Sequence, residues 1–113
     1  MTWTGIDTSG PIIAQMTGVT NPTNDQTPNY TFSSTESGTI SYAGNCSSVT
    51  TGATQGINII TLNTLADGIY DNCTIKVTDA LGNMGNVMPI STFTIDTVAP
   101  TVQLAIASSY STG

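Results

Sequence analysis

A six-residue phrase occurs twice, and its spacing limits what this chain can fold into. Ile6-Asp7-Thr8-Ser9-Gly10-Pro11 returns as Ile95-Asp96-Thr97-Val98-Ala99-Pro100. Ile, Asp, Thr and Pro match in place, at an offset of 89 residues (95 − 6). The next apolar position matches too, Ile13 with Val102. A period near 90 is too long for one turn of a solenoid. It suits one small β-sandwich with its linker. The phrase therefore divides the chain into a linker and the end of a preceding unit (residues 1–10), one domain (11–96), and a linker with the start of a following unit (97–113). The phase of the repeat implies further chain upstream of Met1.

Between the two copies, short apolar-alternating runs are separated by turn residues. Strands are expected over residues 11–17, 28–33, 39–43, 57–62, 69–78 and 90–95, with a weak edge strand over 47–51. Tyr30 and Phe32 share one face of their strand, and Cys73, Ile75 and Val77 share one face of theirs. Tyr70 breaks that parity. One extra residue near Asp71-Asn72, a β-bulge, would return it to the inner face. Residues 79–89 form a long Gly- and Asn-rich loop. A further strand at 101–107 would open the next unit. About seven short strands at roughly ten-residue spacing indicate an all-β Greek-key sandwich, with a small jelly roll as the other arrangement. Helix should be almost absent.

Charge narrows the function. Lys76 is the one basic residue against seven acids, for a net charge of −6, and there is no histidine. Such a surface argues against nucleic acid and anionic membranes as partners. No apolar run is long enough to span a membrane as a helix, so no membrane insertion is expected. Catalysis finds no support, because a Ser nucleophile would lack a base. No glycine-rich loop precedes a helix, so no phosphate cradle is expected. Cys46 and Cys73 are an even count in a polar, strand-rich chain. A disulfide in an oxidising compartment is the leading reading, and two buried thiols the other. Lys76 alternates outward between Ile75 and Val77, which argues against a cross-link from it into the core. Trp3 precedes the domain and belongs to the end of the preceding unit.

Leu65-Ala66-Asp67-Gly68-Ile69-Tyr70, followed by Ile75-Lys76-Val77-Thr78-Asp79-Ala80-Leu81-Gly82-Asn83, resembles the bacterial Ig-like repeats of large surface and adhesion proteins. The shared pattern is a D-G-x-Y turn into a strand ending V-T-D-x-x-G-N. Residues 93–100 resemble that family's linker, and residues 23–28 its lead into the second strand. The two cysteines depart from the plainest members. The resemblance implies an Ig-like sandwich of about seven strands in an extracellular or cell-surface protein. It also implies neighbouring Ig-like repeats of the same chain as partners.

In such a sandwich Asp7, Glu36, Asp79 and Asn83 converge on the N-terminal pole, and Asp25, Asp67 and Asp96 on the opposite one. A hard cation that takes six to eight oxygens suits these donors, so a Ca²⁺ site at the inter-repeat junction is expected. Some relatives bind calcium at such junctions. The bland reading is that Asp and Asn here cap turns through their own backbone. Cys46 and Cys73 should meet at the C-terminal end as a staple. Tyr70 should pack inward with its hydroxyl on a nearby backbone group. The function expected is a structural spacer. The alternative is an accessory module that contacts glycan or host protein, which needs a cluster of exposed aromatic side chains.

Overall fold

The structure, a computed structural model, describes residues 8–99. Asp7, Trp3 and the strand expected at 101–107 lie outside the described residues. Nine strands and no helix are found among the described residues: β1 Ile13–Thr17, β2 Asn29–Ser34, β3 Gly38–Ala43, β4 Gly52–Ala53, β5 Gly56–Thr61, β6 Gly68–Tyr70, β7 Thr74–Thr78, β8 Met88–Pro89 and β9 Phe93–Ile95. They form a three-stranded sheet β1-β2-β5, a four-stranded sheet β4-β3-β7-β8 and a β6-β9 pair. All strand pairings are antiparallel.

Alternation builds the core. On β2, Tyr30, Phe32 and Ser34 are buried; on β5, Asn58 and Ile60; on β7, Ile75 and Val77. Ile57 and Ile59 face outward from β5. These inner faces join with Ile40, Phe93 and Ile95 in one hydrophobic cluster, the sandwich solution for two half-apolar sheets. Buried polar groups inside it are satisfied. Asn58 donates from Nδ2 to the Thr54 carbonyl at 2.8 Å and accepts from the Thr54 N–H at 2.8 Å. Ser48 donates to the Thr61 carbonyl at 2.6 Å. Leaving such groups unpaired would cost about 1–3 kcal/mol each.

The expected single strand over 69–78 is instead two strands in different sheets. β6 pairs with β9, whereas β7 pairs with β3 and β8. The strand expected over 90–95 is broken in the same way: β8 forms inside the expected loop and β9 starts only at Phe93. Thr74 pairs with Pro89 and Tyr70 with Phe93, so interruptions of equal length (71–73 and 90–92) face each other and the register carries through. No one-residue bulge is present there. Both strands flip their inner face together across the break, from Cys73 to Tyr70 and from Ile90 to Phe93. The cause sits beside it. Cys73 is bonded to Cys46, a Cβ on Gly44 would overlap the Asn72 carbonyl, and Pro89 has no N–H to extend the ladder. Tyr70 still reaches the position expected of it. Its ring stacks on Phe93 with centroids 5.2 Å apart, and its hydroxyl donates to the Ala66 carbonyl at 2.6 Å.

The edge strand expected over 47–51 also differs. The segment crosses between sheets. The Asn63 N–H donates to the Ser47 carbonyl at 2.8 Å, and the Ile40 N–H to the Thr51 carbonyl at 2.7 Å. Regular pairing with β3 begins only at Gly52.

Tyr30 gives a pH signature. Its side chain is fully buried and its hydroxyl donates to Gln15 Oε1 at 2.9 Å. Burial pushes the phenol from 10.0 up to about 12. Half-buried Tyr42 is pushed the same way, chiefly by burial. The unfolded chain therefore ionises first. Stability is expected to be intact below pH 10 and to fall as pH rises toward 12. Denaturant midpoints across that interval check it, and Tyr30→Phe should flatten the fall. An unchanged slope in that variant would reject the assignment.

Candidate functional site

The described residues enclose no pocket, so the candidate site is the pair of poles where the chain enters and leaves. At the N-terminal pole the incoming segment is gripped on two sides. The Ile12 N–H donates to Thr35 Oγ1 at 2.9 Å, and the Thr35 N–H returns to the Ile12 carbonyl at 3.1 Å. The Ile13 N–H donates to Asn86 Oδ1 at 2.9 Å, while Asn86 Nδ2 donates to the Ile13 carbonyl at 3.1 Å. Pro11 is buried. Gly10 and Gly85 allow the closest approach, since a Cβ on Gly10 would overlap the Met84 carbonyl and one on Gly85 the Pro11 carbonyl.

Asp79 shapes the loop that does this gripping. One carboxylate oxygen accepts from the Leu81 and Asn83 N–H groups, each at 2.9 Å, and the other accepts from Asn83 Nδ2 at 3.1 Å. The backbone closes the same turn from Asp79 N–H to the Asn83 carbonyl at 3.0 Å. Gly82 sits at φ 86°, where a side chain would be strained. The Gly85 N–H then returns the chain to the Val77 carbonyl at 2.9 Å. Asp79 is thus a buried carboxylate that accepts from three donors of its own loop. Glu36 lies at the same pole, in the turn between β2 and β3, where Ser34 Oγ donates to its carbonyl at 2.6 Å.

At the C-terminal pole the outgoing segment is held as closely. Thr23 and Ile95 form a parallel bridge. The Thr23 N–H donates to the Thr94 carbonyl at 3.0 Å, and the Asp96 N–H to the Thr23 carbonyl at 2.8 Å. The Asp67 carboxylate reaches across to the phrase itself: Thr97 donates to it from Oγ1 at 2.8 Å and from its N–H at 3.2 Å. Asp96 Oδ1 accepts from the Val98 N–H at 3.1 Å. Asp25 Oδ1 accepts from the Thr27 N–H at 2.9 Å and so caps its own turn.

The expected acids therefore sit at the poles as the topology required, apart from Asp7, which is not among the described residues. The carboxylates of Asp25, Asp67, Asp79 and Asp96 accept hydrogen bonds from turn or linker groups. Among the described residues no group of three or more acids or cysteines is close enough to hold a metal. Asn86, Thr35 and Thr97 were not anticipated as gripping residues. The signal for Thr97 was present, because it is part of the repeated phrase.

Cys46 and Cys73 form a disulfide, with Cα atoms 5.4 Å apart. It lies between the poles, tying the segment after β3 to the break between β6 and β7. Lys76 points outward as expected, its ammonium 3.1 Å from the Met84 sulfur. A family model described as a bacterial Ig-like domain matches residues 13–97. The chain belongs to the bacterial Ig-like domain family. No curated protein and no solved structure matches the chain. The family match begins where β1 begins and ends on Thr97, the residue that Asp67 holds. Ig-like domain families are generally non-enzymatic, and bacterial ones commonly occur in surface or extracellular proteins. A disulfide fits that oxidising setting.

Proposed function

We propose that this bacterial Ig-like domain is a spacer in a multi-domain extracellular surface or adhesion protein, one of several like units. The observation that carries the reading is the pair of gripped ends. The chain is held at one pole by Thr35 and Asn86 and at the other by Thr23 and Asp67. A unit built this way transmits position and tension along its long axis. The repeated phrase supplies the second support, since it places equivalent linkers at both ends of one domain length.

The alternative, a module that itself binds glycan or host protein, needs an aromatic platform. Among the described residues Tyr30, Phe32 and Phe93 are buried and Tyr42 and Tyr70 are half-buried, so no exposed aromatic face supports it. A glycan array showing specific binding by the single domain would favour it.

Calcium enters this reading only as a bridge between copies. Asp7, Glu36, Asp79 and Asn83 of one copy would face Asp25, Asp67 and Asp96 of the copy before it. The support is the placement, among the described residues, of Glu36 and Asp79 near one end and of Asp25, Asp67 and Asp96 near the other. The full-length sequence tests the spacer reading: further domains at a spacing near 90 residues are expected, and their absence would overturn it. Calorimetry with Ca²⁺ on a two-domain chain tests the bridge. Heat of binding, and melting lowered by EDTA, are expected; neither effect would remove the ion.

A further inference from the structure

A free sheet edge invites another strand, and folds guard it by short length, charge, proline or a bulge. Among the described residues every other sheet edge carries one of these guards. β1 breaks register between Gln15 and Thr17. β4 and β8 have two residues each, and β8 ends on Pro89; β6 and β9 have three each. β5 carries none of them. It runs in unbroken register along β2 over Gly56–Thr61, at the rim of its sheet, with no charge and no proline.

Register fixes which backbone groups turn to that rim. The Leu62 N–H donates to the Pro28 carbonyl at 2.9 Å. Bonded positions alternate along an antiparallel pair, so Gly56, Asn58 and Ile60 direct their N–H and C=O groups to β2. Ile57, Ile59 and Thr61 direct theirs outward. The Thr61 carbonyl is taken, since the Ser48 hydroxyl donates to it at 2.6 Å. Among the described residues nothing covers the outward groups of Ile57 and Ile59. Their side chains are exposed as well, at 60% and 66%.

We infer that β5 is a homotypic contact, where two copies of this domain pair antiparallel through Ile57 and Ile59 about a two-fold axis at Asn58. The spacing selects a second copy as the occupant. Ile57 and Ile59 flank Asn58 evenly, so the two-fold sets Ile57 of each copy opposite Ile59 of the other. Both are then hydrogen-bonded pairs, and four backbone bonds form from groups otherwise left to water. On the outer face the same register makes two isoleucine cross-strand pairs. A register shifted toward Thr61 loses the carbonyl that Ser48 already holds. Charge points the same way. The chain has a net charge of −6, yet β1, β2 and β5 carry no charged residue. Two copies can therefore meet on this sheet without bringing carboxylates together. The contact is small beside the about 800 Å² per partner of a standard interface, so one pair is weak. Under the spacer reading, strings of several copies running in opposite directions would add such contacts together.

Sedimentation equilibrium and amide hydrogen exchange on the 113-residue chain test it. A reversible monomer–dimer equilibrium is expected, with a dissociation constant on the order of 10⁻⁴ M. Added salt should tighten it by screening the like net charges. The Ile57 and Ile59 amides should gain protection as concentration rises, while the Asn58 amide, already bonded to β2, should not change. Ile57→Lys with Ile59→Lys, and separately Ile57→Glu with Ile59→Glu, are substitutions at exposed positions. Each double variant should self-associate about tenfold more weakly. Mixed, the two should associate again although both remain net negative, because each lysine then faces a glutamate. A chain that stays monomeric at every concentration and salt would overturn the inference. So would a dimer whose Ile57 and Ile59 amides stay unprotected, or one that the double lysine variant leaves intact. These outcomes are separate from the spacer reading, which the sequence of the full-length protein decides.

Discussion

Replacing Phe93 by alanine is expected to cost about 3–5 kcal/mol, as deletion of a fully buried aromatic ring does. Phe93 is 0% exposed and stacks on Tyr70. Stability of a domain this size is on the order of 5–15 kcal/mol, so the variant should be marginal at 37 °C. Urea titration followed by tyrosine fluorescence would measure the loss. The effect should also reach the C-terminal pole. Without the Phe93 ring, Tyr70 loses its stacking partner, and the hydroxyl contact to Ala66 that braces the turn before Asp67 loosens. Faster amide exchange at Thr97 and Val98 than in wild type, at matched stability, is the local readout. A loss below about 1 kcal/mol would show that β9 is not part of the cooperative core.

Loss of the Cys46–Cys73 bond is the other large effect. The two residues are separated by 27 positions. In the chain-entropy model, a closed loop of that length corresponds to about 3.5 kcal/mol of stabilisation, through restriction of the unfolded chain. Cys46→Ala with Cys73→Ala is therefore expected to lower the melting temperature by roughly 15–30 °C, given about 4–8 °C per kcal/mol for a small domain. Both cysteines are nearly inaccessible, at 3% and 1% exposure. Reductant should act slowly on the folded protein and quickly in denaturant. Intact mass after alkylation, with and without reduction, counts the thiols. Two alkylated cysteines in protein that was never reduced would show the bond absent, and an unchanged melting temperature in the double variant would show it idle.

What the sequence displayed was periodicity, and what it concealed was the joining of sheets. Tyr30 and Phe32, or Ile75 and Val77, announce their faces by alternation, because a strand's two faces repeat every second residue. Tyr70 announced an inward role by breaking parity. Its parity break had two possible causes, an inserted residue or a paired interruption, and one strand read alone cannot separate them. Only its partner, with Phe93 out of phase with Ile90, shows that both strands flip together. The short pairing at Gly52–Ala53 was hidden for a related reason, since the preceding segment is shared between two sheets and follows the period of neither.

The acids teach a different lesson. Topology alone brought Asp25, Asp67 and Asp96 to one pole, and Glu36 and Asp79 to the other. Topology could not say what their oxygens do. Asp79 folds its own loop, Asp25 caps its own turn, and Asp67 holds Thr97. A short polar side chain beside free N–H groups takes the nearest partner first. Residues that grip through Asn86 and Thr35 had no signature, because side chain to backbone bonds between distant segments leave no spacing to read.

The disulfide limits how far this domain can be drawn out. Residues between Cys46 and Cys73 cannot be stretched while the bond stands, so a tether that unfolds under load yields less length. At about 3.5 Å per extended residue, the withheld length is on the order of 90 Å for each domain that opens. In a string anchored at one end and pulled at the other, such a bond turns a lost fold into a short, bounded slackening.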